Sequence, residues 1–406
     1  MRSRSESNRA LSAGRSSETP RPRVSLSGAL GGHKNSLGLL RLVLASLVIV
    51  DHAFHLGGFG NDPLTDLSHG QASIGSVAVL GFFAISGYLI TKSGMSTDAV
   101  QFIWRRALRI FPAYWLVLVV TAMLIAPVIW TVGGNVLADY YTVAGNGPLG
   151  YIAKNWTLGI GAYGIYDLLA ETTPYGLSVG ASVFNGSLWT LSYEWQCYLI
   201  VGILVLFGMI PRVRAVIPGL MVCAGLIQLW YLVDPDLLSE FAPLFANQQL
   251  LELTFTFLVG ATLGAYADKI PFDDRLGVFA GGIVLVTLAF GGFATVGTVA
   301  GAYVVMYLGA RLPAGLQWIG ARNDYSYGVY IYGFLVQQVM AYFGWYRLGY
   351  FLYVLVALVL AFAFAWLSWH VIEKRAMALK NWGPGHGVRY WMAQWATRVS
   401  KRTVGE

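Results

Sequence analysis

Apolar residues gather into ten runs, each long enough to cross a lipid bilayer: 37–57, 73–92, 110–130, 190–210, 214–233, 250–268, 276–292, 294–310, 326–345 and 349–371. A crossing helix needs ~20 residues, at ~1.5 Å of rise each, to traverse ~30 Å of hydrocarbon. The runs at 276–292 and 294–310 touch and are split at Gly291-Gly292. Most connections are short. The exception is 131–189, rich in Gly, Tyr and Asn, with room for a short helix or a re-entrant piece. The pattern predicts an all-α polytopic membrane protein with about ten transmembrane helices.

Charge orients that pattern. If the N-terminus is inside, every second connection should carry the Lys and Arg. Of 27 such residues, all but Lys154, Arg347 and Arg41 fall in the inner segments or the two tails. Lys154 and Arg347 lie in outer loops, and Arg41 lies within the first run. Both termini are therefore expected in the cytoplasm, with 131–189 outside. Residues 1–35 are Ser- and Arg-rich with no apolar core, so they read as a disordered basic tail and not as a cleavable signal peptide. Residues 36–373 form the transmembrane domain. Residues 374–406 form a basic, Trp-containing cytoplasmic tail suited to lying on the inner leaflet as an interfacial helix.

Composition agrees. The chain of 406 residues is 56% hydrophobic and only 12% charged, with a mean hydropathy of +0.58. A soluble domain carries about 25% charged residues. Its 14 Trp, 23 Tyr and 21 Phe suit aromatic belts at the two membrane interfaces. The formal charge of +7 is spread through loops as a topology signal, so it implies no nucleic acid. Cys197 and Cys223 fall inside apolar runs, which argues against a disulfide framework or a zinc site. No metal site is expected.

Polar residues within spans are expensive and mark function by default. The first run holds Arg41, Asp51 and His52. Arg41 and His52 are eleven residues apart, about three helical turns, so they face the same way ~16 Å apart along the axis. That separation suits a long ligand with a phosphate-rich end and a reactive tip. The bland alternative is that Arg41 snorkels to the interface and His52 bonds a neighbouring helix. Asp51 is rotated ~100° from His52 and should face a different neighbour. His55 reads as interfacial.

Two further clusters stand out. Arg106 and Arg109, in Arg105-Arg106-Ala107-Leu108-Arg109, share a helix face and suit bidentate phosphate binding. They are expected at a wet inner interface, where their loss exposes no buried partner charge; the alternative is an ordinary positive-inside loop. Glu194, about two turns into the outer end of the fourth run, is expected at a depth comparable to His52. There it could orient the imidazole or act as acid or base. A carboxylate at a wet helix start is the plain alternative.

In order along the chain come Arg41-x10-His52, Gly81-Phe82-Phe83-Ala84-Ile85-Ser86-Gly87-Tyr88-Leu89-Ile90, the Arg105-to-Pro112 run, Leu188-Trp189-Thr190-Leu191-Ser192-Tyr193-Glu194, and Tyr325-Ser326-Tyr327-Gly328-Val329-Tyr330. Together they resemble the acyltransferase-3 family of bacterial multi-pass membrane O-acyltransferases, from about Ser36 to Arg375. Each motif alone is weak, but five in order are specific. The resemblance implies transfer of an acyl group, usually acetyl from acetyl-CoA, to a hydroxyl of an envelope or secreted glycan. It implies a catalytic role for His52, and acyl-donor roles for Arg41 and for Arg106 with Arg109.

His52, Glu194 and Asp51 are the catalytic candidates, and Arg41, Arg106 and Arg109 bind the acyl-CoA donor. Trp189, Ser192 and Tyr330 contact substrate. Acetyl-CoA is a donor substrate, with no permanently bound cofactor. The partners are the lipid bilayer and a glycan or lipid-linked oligosaccharide, and the location is the bacterial inner membrane. Two departures from the family pattern matter. Gly333 stands where many relatives carry His, and no soluble esterase-like domain is expected. The chief rival is a transporter or flippase of a lipid-linked glycan, against which stands the lack of an internal repeat or paired broken helices. A non-catalytic partner of a polysaccharide synthase is the other.

Overall fold

The computed structural model describes residues 24–32, 35–212 and 214–403. Among them the regular structure is helical, and the strand-like pairing is one isolated bridge, Ser25 to Pro271. Among the described residues, seven helices are long and apolar enough to cross a membrane: α1 (Leu37–Leu56), α2 (Ile74–Gly94), α3 (Ala99–Val132), α4 (Gly186–Leu206), α5 (Val216–Val233), α8 (Phe293–Arg311) and α10 (Tyr350–Asn381). Three further helices, of 17 or 18 residues, occupy the other expected places: α6 (Gln248–Ala265), α7 (Asp274–Phe290) and α9 (Ser326–Tyr342). The turn between α7 and α8 is made by Gly291 and Gly292, both at positive φ (109° and 92°), a conformation costly for any residue with a Cβ.

The bundle is organised around α1, α2 and α9. Helix α1 lies between α2 and α9. From α2 the packing continues to α6 and then α5, and from α9 to α10. Helix α3 pairs with α4, which reaches α2, while α8 leans on α2 and α6. Helix α9 is buried along nearly all of its length, which explains how it tolerates so many polar residues. Their donors find neighbouring backbone carbonyls, as interior donors in lipid must, while the Oε1 atoms of Gln337 and Gln338 have no partner among the described residues. Gln337 donates to the Ile49 carbonyl (2.9 Å) and Gln338 to that of Val183 (2.6 Å). The hydroxyls of Tyr327 and Tyr330 donate to the carbonyls of Ile110 (2.8 Å) and Ser187 (3.0 Å).

Helices α2 and α6 make the closest approach, through small residues. A Cβ on Gly260 would lie 2.1 Å from the Ala84 carbonyl oxygen, and one on Gly264 would lie 2.7 Å from that of Tyr88. Gly87 answers from α2, where a Cβ would meet the Phe257 carbonyl at 2.0 Å. Small residues four apart let membrane helices touch backbone to backbone. Gly260→Val must therefore push α2 from α6. It is expected to lower stability by about 1–3 kcal/mol, the usual cost of overpacking. The check is the melting temperature in detergent, and an unchanged value would mean that this contact is not close in the folded protein.

Three expectations are modified. The arginine cluster expected in the second connection lies on α3, which at 34 residues runs ~50 Å and outreaches the bilayer. Of the tail expected to be disordered over 1–35, residues 1–23 and 33–34 lie outside the described residues. Residues 24–32 are instead docked: Leu26 is buried and donates its amide to the Ile270 carbonyl (2.8 Å), and Ser27 donates to Ala267 (2.7 Å). At the other end, 379–388 is tied to the start of α3 before the last helix, α11 (Val388–Thr403). Trp104 donates to the Leu379 carbonyl (3.0 Å), Gln101 to that of Gly385 (2.8 Å), and the Val388 amide to Asp98 (2.9 Å).

Candidate active site

Helix α1 carries Arg41 near the end of the bundle where α3 begins, and Asp51 and His52 near the opposite end. Their surroundings differ as the sequence geometry requires. The Asp51 carboxyl lies against Gly75 of α2, so close that a Cβ there would sit 2.3 Å from Oδ2. The His52 ring meets Phe334 of α9 edge-on, at 5.1 Å between centroids. Asp51 Oδ1 and His52 Nδ1 are both buried without a hydrogen-bond partner. Although they touch different helices, both line one cavity of about 230 Å³, with Trp189, Gln249, Glu252 and Tyr330 among its other walls.

At the other end, Asp324, in the connection before α9, gathers the arginines. Arg41 is ion-paired to it, and Arg109 binds the same oxygen at 2.7 Å while reaching Glu373 at 3.7 Å. Burial alone would push the Asp324 carboxyl up. The Arg109 and Arg41 guanidinium groups, with the Ser326 hydroxyl and amide, outweigh that and hold it at about 2. Arg106 has no such partner: it makes no hydrogen bond or ion pair among the described residues, and its Nε is buried and unsatisfied. All three arginines line a cavity of about 250 Å³, with Glu194, Tyr198 and Asp324. The expectation that losing this cluster exposes no partner charge therefore fails for Arg109, which is paired to Asp324 and Glu373.

Glu194 is not at the depth of His52. It accepts hydrogen bonds from Tyr198 and from Ser86 of α2 (3.2 Å). Ser86 is eleven residues along α2 from Gly75, the neighbour of Asp51, so Glu194 lies ~16 Å further toward the arginine end. The cause is a re-entrant segment. Residues 182–189 dip into the bundle, pinned by Gln338 to Val183 and by Asn185 to the Ile331 carbonyl (2.8 Å). Helix α4 thus starts at mid-depth. Glu194 sits with the arginines, where it offsets Arg106, and does not orient the imidazole.

A constriction of about 40 Å³ joins the two cavities. It shares Arg41, Phe82 and Glu194 with the arginine chamber, and Val79, Thr190 and Tyr330 with the His52 chamber. Tyr330 and Phe82 face each other across it, with ring centroids 5.8 Å apart. Of the expected substrate contacts, Trp189 lines the His52 chamber and Tyr330 lines both chamber and neck. Ser192 lines none of the three, and its hydroxyl donates back to the Trp189 carbonyl (2.9 Å). Among the described residues, no three His, Cys, Asp or Glu side chains come together closely enough to hold a metal ion.

Comparison with known proteins places this geometry. A family described as an acyltransferase domain, the acyltransferase-3 family, matches residues 34–370. The chain belongs to the acyltransferase-3 family. One relative, the O-acetyl transferase of Shigella phage Sf6, is 31% identical over 356 residues, covering 84% of this chain and 96% of the relative. Nodulation protein 10 of Rhizobium leguminosarum bv. viciae is 28% identical over 375 residues, covering 86% and 95%. No solved structure matches. Within this membrane acyltransferase, Gly333 has a packing reason: a Cβ there would lie 2.6 Å from the Ile49 side chain of α1, so a His at that position would require that side chain to move. Glu252 and Asp324 are absent from the motifs. Glu252 carries a signal, a carboxylate near the start of an apolar run. Asp324 carries none, because its role depends on two distant arginines.

Proposed function

We propose that this protein moves an acyl group, most simply acetyl, from cytoplasmic acyl-CoA to a hydroxyl of a cell-surface or secreted glycan, in a bacterial inner membrane crossed ten times. The observation that carries the reading is the row of three cavities leading from Arg41, Arg106 and Arg109 through the neck to His52. The arginines would hold the donor's phosphates, for which Arg106 is free, and the donor's arm would thread the neck toward His52. The neck has space for little more than one or two waters, so Phe82 and Tyr330 must part to admit it. The phage relative is an O-acetyl transferase, which favours acetyl.

His52 would take the proton of the acceptor hydroxyl as the oxygen attacks the thioester carbonyl. The carbon–sulfur bond then breaks, and the imidazolium returns its proton to the departing thiolate. A hydroxyl is a weak nucleophile at neutral pH, and histidine is the side chain whose ordinary pKa lies nearest the working pH. In the other order, the imidazole attacks the thioester carbonyl, the carbon–sulfur bond breaks and the thiolate leaves with the imidazole's proton; the hydroxyl then takes the acyl group and its proton returns to the imidazole. Both orders require His52.

The test is purified protein in lipid nanodiscs with acetyl-CoA, with CoA release followed by a thiol reagent, alongside mass spectrometry of surface glycans from cells with and without the gene. Loss of O-acyl groups on deletion is expected, and identical glycans would overturn the reading. The sidedness has its own check. Ala144, exposed in the 131–189 connection, is replaced by Cys in a chain carrying Cys197→Ala and Cys223→Ala. An impermeant maleimide should label it in intact cells, and labelling only after lysis would reverse the proposed orientation.

A further inference from the structure

Glu252 belongs to none of the recognised motifs, yet it lines the chamber of His52. It stands three residues after Gln249 on the same face of α6, and both side chains reach the chamber. Its carboxyl group makes no hydrogen bond or ion pair with any described residue; only its backbone carbonyl is engaged, by Thr256 (2.7 Å). A carboxyl group in an otherwise apolar helix is costly and should meet a partner. A second group in the chamber is in the same condition: Asp51 is only 6% exposed, and its Oδ1 has no partner. Trp189, half-buried, adds an aromatic wall.

This combination has a definite chemistry. A sugar ring is apolar on its C–H faces and ringed by hydroxyls that both donate and accept. An aromatic wall suits the face. A carboxyl group that accepts and an amide that does both suit the rim. At about 230 Å³ the chamber is smaller than the ~300–1,000 Å³ that holds a drug-sized ligand, so it fits one ring and not an oligosaccharide. We propose that Glu252 and Gln249 form the acceptor subsite, binding hydroxyls of a single terminal or branch sugar next to the hydroxyl presented to His52. The proposal rests on the acyl-transfer reading and adds to it the groups that choose the acceptor. A site built to pair a hydroxyl rejects analogues that lack it by ~10⁴–10⁵-fold, so these two residues would set which sugar is acylated.

The experiment uses the full-length protein in nanodiscs, acetyl-CoA labelled in its acetyl group, and the envelope polysaccharide of the source cell stripped of its O-acyl esters by mild alkali. Glu252→Ala should raise the KM for this polysaccharide about tenfold or more, the worth of one hydrogen bond to a charged group. At saturating acceptor kcat should change far less, and the KM for acetyl-CoA should stay near the wild-type value. Glu252→Gln keeps the shape and an acceptor oxygen, so it should recover most of the loss and guards against misfolding of the alanine variant. An unchanged polysaccharide KM in both variants would overturn the subsite alone, as would a fall in kcat with KM untouched. Failure of the wild-type protein to label the polysaccharide at all would remove the acyl-transfer reading and the subsite with it.

Discussion

Replacing His52 with alanine is expected to cut acyl transfer about 10²–10⁴-fold, the contribution of a positioned acid–base group, in a protein that still inserts and purifies as a single species. The second half of that expectation comes from the packing. His52 makes no hydrogen bond to any described residue, its Nδ1 is unsatisfied, and its ring contact is the edge-on meeting with Phe334. Truncation therefore enlarges a cavity that already exists and strands no polar partner. An inactive variant that is also monodisperse would separate chemistry from folding. Near-normal transfer by a well-folded His52→Ala protein would sink the mechanism, because both orders of acyl transfer pass through the imidazole. Asp51 cannot easily substitute, since its carboxyl is turned against Gly75 of α2.

The parts of this site that the sequence disclosed are those set by one helix. The interval between Arg41 and His52 is fixed by helical rise alone, and the structure puts them in successive cavities on one line. The helix positions were likewise readable, because an apolar run of ~20 residues has few other uses. What failed was depth across helices. Glu194 was placed beside His52 by counting from an assumed outer start of α4. That start is buried by a re-entrant segment whose anchors, Gln338 and Ile331, lie more than 140 residues away in sequence. The pairing of Arg41 and Arg109 through Asp324 spans 283 and 215 residues and is invisible to any local pattern. Glu252 is a different case. The rule that singles out polar residues in a span applies to it as well as to Glu194, but only the chamber gives it a purpose.

The two arginines that share a face of α3 should part company on mutation. Arg106 makes no ion pair among the described residues, so Arg106→Ala should leave the melting temperature in detergent near the wild-type value. Its donor affinity should nevertheless fall about ten- to hundredfold, since a charge-assisted contact to phosphate is worth ~1.5–3 kcal/mol. Arg109 is committed to Asp324 and Glu373. Breaking a buried pair by removing one partner costs about 3–5 kcal/mol. The lower end applies here, because Asp324 keeps Arg41 and its side chain remains 19% exposed, while Glu373 keeps the Ser368 hydroxyl at 3.0 Å. Arg109→Ala should thus lose about 3 kcal/mol of stability, visible as a lower melting temperature before any donor is added. Adding acetyl-CoA should raise the melting temperature of wild-type protein more than that of Arg106→Ala, because ligand binding stabilises the folded state in proportion to occupancy. Equal thermal losses in the two single variants would mean that Arg106 is also structurally paired. An acetyl-CoA shift in Arg106→Ala as large as in wild type would return that arginine to the role of a topology signal and leave Arg41 and Arg109, freed from Asp324, to receive the donor.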